Sequence, residues 1–536
     1  MSIEEALVLN DGQQAAFDSI MAGNNVFLTG EAGTGKSVVV REAVRWLKKA
    51  GKNVLLCAYT GIAAQNIGGS TIHLTFGFST GAMTAERICK EAIPEPIKIA
   101  DALIIDEIGT VRRDYMNAIA WLVCKENAER AKKNRTALQI IVVGDFTQLP
   151  PIADDAAYKN EYGSERSNAY AFKAGGWKEV GFECRKLTEA ERQSEPTLVD
   201  NLRKAQRGDT SCLSYFNQFA ERKGAPDDAV FICGKNASVD DKNQERLNEL
   251  EGELHAFDAI VEGEFREKDC PSPFHLELKI GARVMCTVND EDHGFFNGSL
   301  GVVSDIDRYD DRISVDLDSG KTIGVARHCF HIKKPITVKD KYGKTTIRME
   351  DVGKCYQYPL KLAWAFTYHK CQAQTFDKIL LDPETWDSGQ LYTGLSRITS
   401  PDGLWLTRPI QDLWLKADED VIGFCESTRT GEPAPDTWAS LDDFERIKSA
   451  KSIIKTKQTE KVEKGSIVTL LNGERILKDY AVVSKCDETK RGTGAVYIDS
   501  PLGKGLMGKK RGARFEYKTD SGKIFQVEVL EIKKPI

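Results

Sequence analysis

The sequence predicts an α/β protein with two parallel-sheet portions, a small β-barrel inserted into the second, and a separate, mostly β module at the end. Three observations carry this. Short apolar runs alternate with amphipathic helical stretches over residues 26–185, the pattern of a parallel sheet covered by helices. The alternation resumes at AVFICGK (229–235) and KILLD (378–382). Between those two, residues 275–350 break into brief β-like runs separated by NDED, NGS, DRYDD and DSGK turns, as in a small barrel.

In chain order, the expected strands of the first portion are VFLT (26–29), NVLLCAYT (53–60), ALIID (102–106) and QIIVVGD (139–145). Helical stretches such as VVVREAVRWLKKAG follow several of them. Residues 436–464 contain DDFERIKSAKSIIKTKQTEKVEK, a charged linking helix whose charges read as a solvated face. Beyond it SIVTLL, AVYID, RFEYKT and IFQVEVLEIK read as strands, the last two joined by a TDSGK hairpin turn. In the stretch DSPLGKGLMGKKRG, Ser500 is an expected N-cap with Pro501 at the first helical position. Leu502 and Leu506 share a face and Gly508 ends the helix. That stretch lacks both the spacing of a phosphate loop and a buried strand before it.

The length of 536 residues fits three or four domains of about 150 residues each. No apolar run reaches the roughly 20 residues of a membrane span, and the acidic start MSIEEALVLNDGQQ is no secretory signal. The cysteines show no CxxC pair and suit a reducing cytosol, so a cytoplasmic protein of a bacterium or phage is expected. His328 and His331 flank Cys329 and read as strand rather than as a metal site. The formal net charge is −6. Residues 451–536 carry 19 Lys and Arg against 11 Asp and Glu, which leaves about −14 for the remainder. An acidic body still admits DNA, because a channel needs only local positive potential.

Chemistry concentrates in a few motifs. GEAGTGKS, Gly30 to Ser37, fits G-x-x-x-x-G-K-[ST] between a strand and a helix. Gly30, Gly33, Thr34 and Gly35 let backbone N–H groups wrap phosphates. The helix start adds partial positive charge, Lys36 adds a point charge, and the Ser37 hydroxyl reaches Mg²⁺. In LIIDEIG, Asp106 and Glu107 end a strand. One carboxylate can hold Mg²⁺ and the other can accept a proton from attacking water. Gln148 in VVGDFTQLPP follows a further strand and suits γ-phosphate sensing. Developing phosphoryl charge needs opposing cations. Arg192 in EAERQ and Arg397 in YTGLSR are the candidates.

These motifs, in this order, resemble a superfamily 1 helicase of the Pif/RecD-like branch over about residues 5–410. LNDGQQAAF resembles the family's adenine-reading motif, with Gln13 in the key place. AYTGIAAQNIGGSTIH (58–73) resembles its first DNA-contacting segment, and GDFTQLPP resembles GDFFQLPP. YAFKAGGWKEVGFECRKLTEAERQ (170–193) is similar to its fourth motif region. LKLAWAFTYHKCQAQTFDKILLD (360–382) and QLYTGLSRITSPDGLWL (390–406) resemble its last two motifs. The resemblance implies two RecA-like domains with ATP and Mg²⁺ between them, at 1–185 and at 186–274 with 351–435. It also implies a wedge insertion at about 74–98, an SH3-like insertion at 275–350, and a monomeric motor moving 5′ to 3′ on single-stranded DNA toward 5′-tailed or forked duplex. Lys36, Ser37, Asp106, Glu107, Gln148, Arg192 and Arg397 take the ATPase roles. Thr60, His73, Thr367, His369 and Lys370 fall in DNA-facing motifs, where grip comes without sequence reading. The chain departs from the family pattern at Thr147, Cys371, Ala373 and Gly394, and over 117–138.

Residues 463–536, after a linker at 436–462, resemble the C-terminal domain of the GreA/GreB transcription factors. The likeness rests on GSIVTL, VYIDSPLGKGLMGKKRG and VEVLEIKK, with mild departures at Gly505 and Met507. It implies an FKBP-like α+β fold that docks on RNA polymerase. No coiled-coil hairpin precedes it, so transcript cleavage is not expected. Two other readings stand beside the helicase with a polymerase tether. One is a polymerase-binding regulator whose ATPase acts as a switch without strand separation. In the other, the basic tail is a DNA-binding accessory.

Overall fold

A computed structural model describes residues 9–533 except 190–192, 194, 291–292, 340–342, 344, 373, 460, 464–465, 473–474, 484–493 and 520. Arg192 and Ala373 therefore lie outside the described residues. The chain forms two compact units. The first comprises residues 1–84 and 91–443; the second comprises 85–90 and 444–536.

The first unit opens with helix α1 (Asp11–Met21), started by a reciprocal cap. The Asn10 side chain accepts the Gln13 backbone N–H at 2.9 Å and Gln13 Oε1 accepts that of Asn10 at 3.1 Å. Six strands follow: β1 (Val26–Gly30), β2 (Val54–Ala58), β3 (Ser70–Thr71), β4 (Ala102–Asp106), β5 (Gln139–Val143) and β6 (Glu183–Leu187). They pair in the order β3-β2-β4-β5-β1-β6, every neighbour parallel. Helix α2 (Lys36–Lys49) covers this sheet by burying Val39, Val40, Ala43 and Leu47. The four expected strands are all present. The short β3 and the charged β6 complete the edges, and neither has the apolar run that marks a buried strand.

A second parallel sheet is made of Ala365–Thr367, Val230–Cys233, Ile379–Leu381 and Leu404–Leu406, in that order. Between its strands lies an antiparallel region. Its five-stranded sheet runs Thr322–Ala326, Arg312–Leu317, Leu300–Asp307, Arg283–Cys286 and Leu360–Leu362. A long ribbon of His328–Lys339 and Thr345–Gln357 takes Ile260–Gly263 on its edge, and His255–Asp258 pairs with His275–Leu278. Paired strands thus extend from His255 to Leu362, beyond the span 275–350 read from turn spacing. All four residues of Ile260–Gly263 are exposed, so no alternation marked that strand. Residues 74–98 carry the short helices Ile72–Phe76, Ala85–Lys90 and Glu95–Ile99.

Helix Arg113–Lys132 is buried along most of its length, charged groups included. Arg113 forms a two-pronged pair with Asp443, Nε to Oδ2 at 2.9 Å and Nη2 to Oδ1 at 2.8 Å. Asn117 Nδ2 and the Gly175 N–H also donate to Asp443 Oδ2. Asp443 belongs to the first turn of helix Asp442–Thr459, within the expected charged linker. Burial alone would raise the Asp443 carboxyl, but the Arg113 guanidinium and the Asn117 and Gly175 donors hold it below its ordinary value.

The second unit has its own core. Five strands pair in the order Ala495–Tyr497, Arg475–Val483, Ile467–Asn472, Ile524–Lys533, Arg514–Lys518. The first pair is parallel and the rest antiparallel. Helix Pro501–Leu506 forms as expected, with Ser500 accepting the Gly503 N–H at 3.1 Å. Leu506 is buried, Leu502 packs beside it, and left-handed Gly508 follows the end. Gly503 is obligatory by contact, since a Cβ there would lie 1.9 Å from the Tyr497 carbonyl oxygen. Met507 points to solvent.

Asp443→Ala leaves the Arg113 guanidinium buried without its carboxylate and is expected to destabilise the first unit by about 3–5 kcal/mol in urea denaturation. Because the Asp443 carboxyl is held low, the anchor acts fully above about pH 4 and is lost as acid protonates it below that. A midpoint that barely moves would refute the anchor.

Candidate functional site

The phosphate loop links β1 to α2. Gly35 caps α2 in the left-handed region at φ 80°, where a side chain would be strained, and this turns the following N–H groups into the loop. Lys36 Nζ folds across it, donating to the Gly30 carbonyl at 2.8 Å and the Glu31 carbonyl at 3.0 Å. Thr34 Oγ1 donates to the Glu31 carbonyl. Gln13 is buried beside the loop, its Nε2 3.5 Å from the Thr34 carbonyl. Ser37 opens the helix. The cradle is therefore made of backbone donors with one ammonium across it, a surface that fits a polyphosphate.

Asp106 and Glu107 end β4, two strands from β1. Asp106 Oδ1 accepts the Glu107 N–H at 2.8 Å, and Oδ2 takes no hydrogen bond from any described residue. Glu107 sits in the left-handed region at φ 51°, a conformation that non-glycine residues adopt where the surroundings enforce it. Burial and the Asp106 charge raise the Glu107 carboxyl, against the pull of Lys36 and Arg397. Burial also raises Asp106, opposed by the Glu107 N–H and by Lys36. From β5, Asp145 Oδ1 accepts both the N–H and the hydroxyl of Thr147, and Oδ2 accepts Gln148 Nε2 at 3.0 Å.

The second sheet supplies the opposite wall. Gln372 Nε2 donates to Glu107 Oε2 at 3.2 Å, the Ala32 N–H donates to the Tyr392 hydroxyl at 3.5 Å, and Gln206 Nε2 donates to Thr147 Oγ1 at 2.8 Å. Arg203 pairs with Glu31 through Nε at 2.9 Å. Arg397 is buried, its guanidinium donating to the Thr393 and Gln374 carbonyls and to Ser396 Oγ. Gln193 Nε2 bonds the carbonyls of Ser396 and Ile398 and so holds the Arg397 turn. Gln372 and Tyr392 were not singled out from the sequence, although both stand inside quoted motifs. Arg203 and Gln206 lie on helix Pro196–Gln206, and no sequence pattern marks them.

Thr60 is exposed and caps helix Gly61–Asn66, accepting the Ala63 N–H at 3.2 Å. His73 Nε2 lies 3.0 Å from the Tyr115 hydroxyl, and the ring packs against Tyr59 and Tyr115. Both face a cavity of about 800 Å³ lined also by Arg112, Phe265 and Lys333. The antiparallel region closes its far side: Ser70 Oγ donates to the Lys333 carbonyl and Gln65 Nε2 to the Asp269 carbonyl. Aromatic faces and cations in one groove suit a single nucleic-acid strand. The second sheet presents His369 and Lys370 to solvent, while Thr367 is buried, its Oγ1 accepting the Lys370 N–H at 3.3 Å. Thr367 thus holds the turn that displays its neighbours.

The departures from the family pattern have local counterparts. At Gly394 a Cβ would come within 2.5 Å of the Tyr368 ring and 2.9 Å of Leu381, so the tyrosine occupies the space. Tyr368 is fixed there by donating to the Asp382 carbonyl at 2.7 Å. Cys371 Sγ donates to the Tyr368 carbonyl at 3.3 Å, a bond a serine would also make. Thr147 bridges Asp145 and Gln206. Gly394→Ala is expected to lower ATP turnover by displacing the Arg397 helix, and adding Tyr368→Leu is expected to restore most of it. Full activity of the single variant in steady-state ATPase assays would refute the packing argument.

Residues 8–210 match the family described as PIF1-like helicase, and residues 457–534 match the C-terminal family of the transcription elongation factors GreA/GreB. The chain is 30% identical over 448 residues to the ATP-dependent DNA helicase Pif1 of Campylobacter jejuni, covering 76% of this chain and 95% of that one. The crystal structure of a Bacteroides sp Pif1 in complex with ADP-AlF4 is 30% identical with a TM-score of 0.67, covering 80% of this chain and all of that one. Bacteroides Pif1 bound to ssDNA is also 30% identical, with the same coverage and a TM-score of 0.55. Two parallel sheets facing one phosphate loop, and motifs matched across most of a relative's length, lead to one conclusion: the chain belongs to the PIF1-like helicase family and is an ATP-dependent DNA helicase of RecA-like α/β fold.

Proposed function

We propose that this helicase moves 5′ to 3′ along single-stranded DNA as a monomer, opens 5′-tailed or forked duplex, and is tethered to RNA polymerase by its C-terminal module. The observation that carries the motor is the convergence of both sheets on Glu107, which neighbours Asp106, accepts Gln372 Nε2 and feels the charges of Lys36 and Arg397. In this reading Gly30, Gly33, Thr34, Gly35 and Lys36 bind the phosphates and Gln13 meets the base. Glu107 takes the proton from attacking water, Gln148 orients that water, and Arg397 balances developing charge. Arg192 is assigned the same balancing role on the motif alone.

Ser37 and Asp106 would hold Mg²⁺. Both offer oxygen, as that ion requires, and Asp106 Oδ2 has no described protein partner. When bound, the ion neutralises phosphate charge.

We assign residues 74–98 as the wedge, the antiparallel region as SH3-like, and the C-terminal module as FKBP-like. Thr60, His73, His369 and Lys370 contact the strand, with Thr367 shaping their turn. A solved Pif1 carries ssDNA, which supports this path. Tethering rests on the match of 457–534 to the GreA/GreB C-terminal family and works by raising the motor's local concentration. A switch without strand separation would rest on the departures from the family pattern at residues 371, 373 and 394. Local packing accommodates the substitutions at 371 and 394, which favours an intact motor. No described helix is long and apolar enough to cross a membrane.

Lys36→Ala is expected to abolish ATP hydrolysis while leaving DNA binding measurable, and Arg397→Ala to slow turnover by about 10³-fold or more. Normal turnover of either would overturn the assignment. On forked DNA with a 5′ tail, DNA-stimulated hydrolysis without unwinding would favour the switch. Truncation at about residue 450 is expected to keep unwinding and lose capture of purified RNA polymerase. Loss of DNA affinity instead, with no capture by the full chain, would make the tail a DNA-binding accessory.

A further inference from the structure

The Thr147 hydroxyl is bonded on two sides. Thr147 stands where GDFFQLPP, the motif this stretch resembles, has an aromatic ring, and a phenyl ring could make neither bond. Its Oγ1 donates to Asp145 Oδ1 at 2.6 Å and accepts Gln206 Nε2 at 2.8 Å. Asp145 Oδ1 also accepts the Thr147 N–H at 2.9 Å, and Oδ2 accepts Gln148 Nε2 at 3.0 Å. Asp145, Thr147 and Gln148 are buried, and Gln206 is half-buried. An unbroken series of side-chain bonds therefore runs from the end of helix Pro196–Gln206 to the Gln148 amide.

The direction of each bond follows from what each group can donate. A carboxylate only accepts, so the single hydroxyl proton of Thr147 goes to Asp145 and the oxygen is left to accept from Gln206. The same carboxylate selects one orientation of the Gln148 amide. Nε2 turns toward Asp145, because Oε1 there would set acceptor against acceptor. Oε1 is left to accept a hydrogen bond from water, and no described residue donates to it. The backbone of this turn has separate support. Gly389, at φ 73°, packs so close that a Cβ on it would lie 2.0 Å from the Gln148 carbonyl oxygen and 2.6 Å from that of Thr147. What Gln206 adds therefore falls on the side chains rather than on the path of the chain.

We propose that Gln206 is a positioning residue for Gln148, acting through Thr147 and Asp145 to keep the Gln148 amide oxygen turned toward the water that attacks the γ-phosphate. This rests on the reading that Gln148 orients that water. Gln206 holds the Thr147 hydroxyl in one rotamer, the hydroxyl holds the carboxylate, and the carboxylate holds the amide. Losing the first bond loosens the last without touching the phosphate loop, so the chemical step slows while nucleotide binding stands.

The test is single-turnover hydrolysis of ATP by the full chain with saturating single-stranded oligothymidylate, beside equilibrium binding of a fluorescent ADP. Gln206→Met keeps the side-chain length and removes the donor. It is expected to slow hydrolysis several-fold, as the loss of one neutral hydrogen bond does, with ADP affinity unchanged. Gln206→Glu sets an acceptor against the Thr147 oxygen, competes with Asp145 for its proton, and is expected to be slower still. Thr147→Ser keeps the hydroxyl and is expected to keep the rate. Thr147→Val is expected to lose at least as much as Gln206→Met, and adding Gln206→Met to it is expected to cost nothing further. Wild-type rates in Gln206→Met and Gln206→Glu would overturn the proposal. So would a full additional loss in the double variant, or a fall in ADP affinity that matches the fall in rate, the mark of a merely structural role. Should the Gln206 variants fail to fold, a wild-type rate in Thr147→Val would overturn it as well. Gln148→Ala tests the underlying reading: normal hydrolysis there would sink that reading and the proposal with it. Slow hydrolysis by Gln148→Ala beside normal hydrolysis by both Gln206 variants would sink the positioning role alone.

Discussion

The hydrogen bond from Gln372 to the Glu107 carboxylate is the contact on which the rest of the motor depends. Glu107 is attached to one sheet and Gln372 to the other. A half-buried acid beside a second acid is unfavourable as an anion, and the cations that offset it come from both sides: Lys36 from the first sheet and Arg397 from the second. The environment of the acid is therefore assembled from both sheets. Parallel sheets suit this arrangement, because functional loops gather at the carboxyl ends of the strands.

Around that junction, polar groups are fixed rather than merely near. Asp145 uses both oxygens to hold Thr147 and Gln148, Thr147 takes Gln206 from the facing helix, and Gln193 locks the turn that carries Arg397. Buried hydrogen-bonded groups of this kind leave few alternative arrangements of low energy. The Arg113–Asp443 pair applies the same physics at the root of the linking helix. The C-terminal module has a core of its own around Val468, Val482, Leu506 and Val529.

Tyr368 and Gly394 illustrate how two positions of neighbouring motifs exchange volume. The glycine read alone is the loss of a methyl group from a helix. Beside the tyrosine ring it is the only residue that fits, and the helix still delivers Arg397. Close packing makes such exchanges pairwise: volume added at one position is removed at the next.

Sequence alone determined the elements whose signal is local. The phosphate loop, the strand-end acids, the parallel strands with continuous apolar runs, and the capped helix at Ser500 all depend on residues within a few positions of each other, where spacing and backbone preference decide the outcome. Tertiary structure decided what depends on distance through space. It brought Arg203 to Glu31 and Gln206 to Thr147, and extended the paired antiparallel strands from His255 to Leu362. None of these leaves a periodic trace, because each pairs residues whose partner lies elsewhere in the chain, and burial and charge act on neighbours in space rather than in sequence.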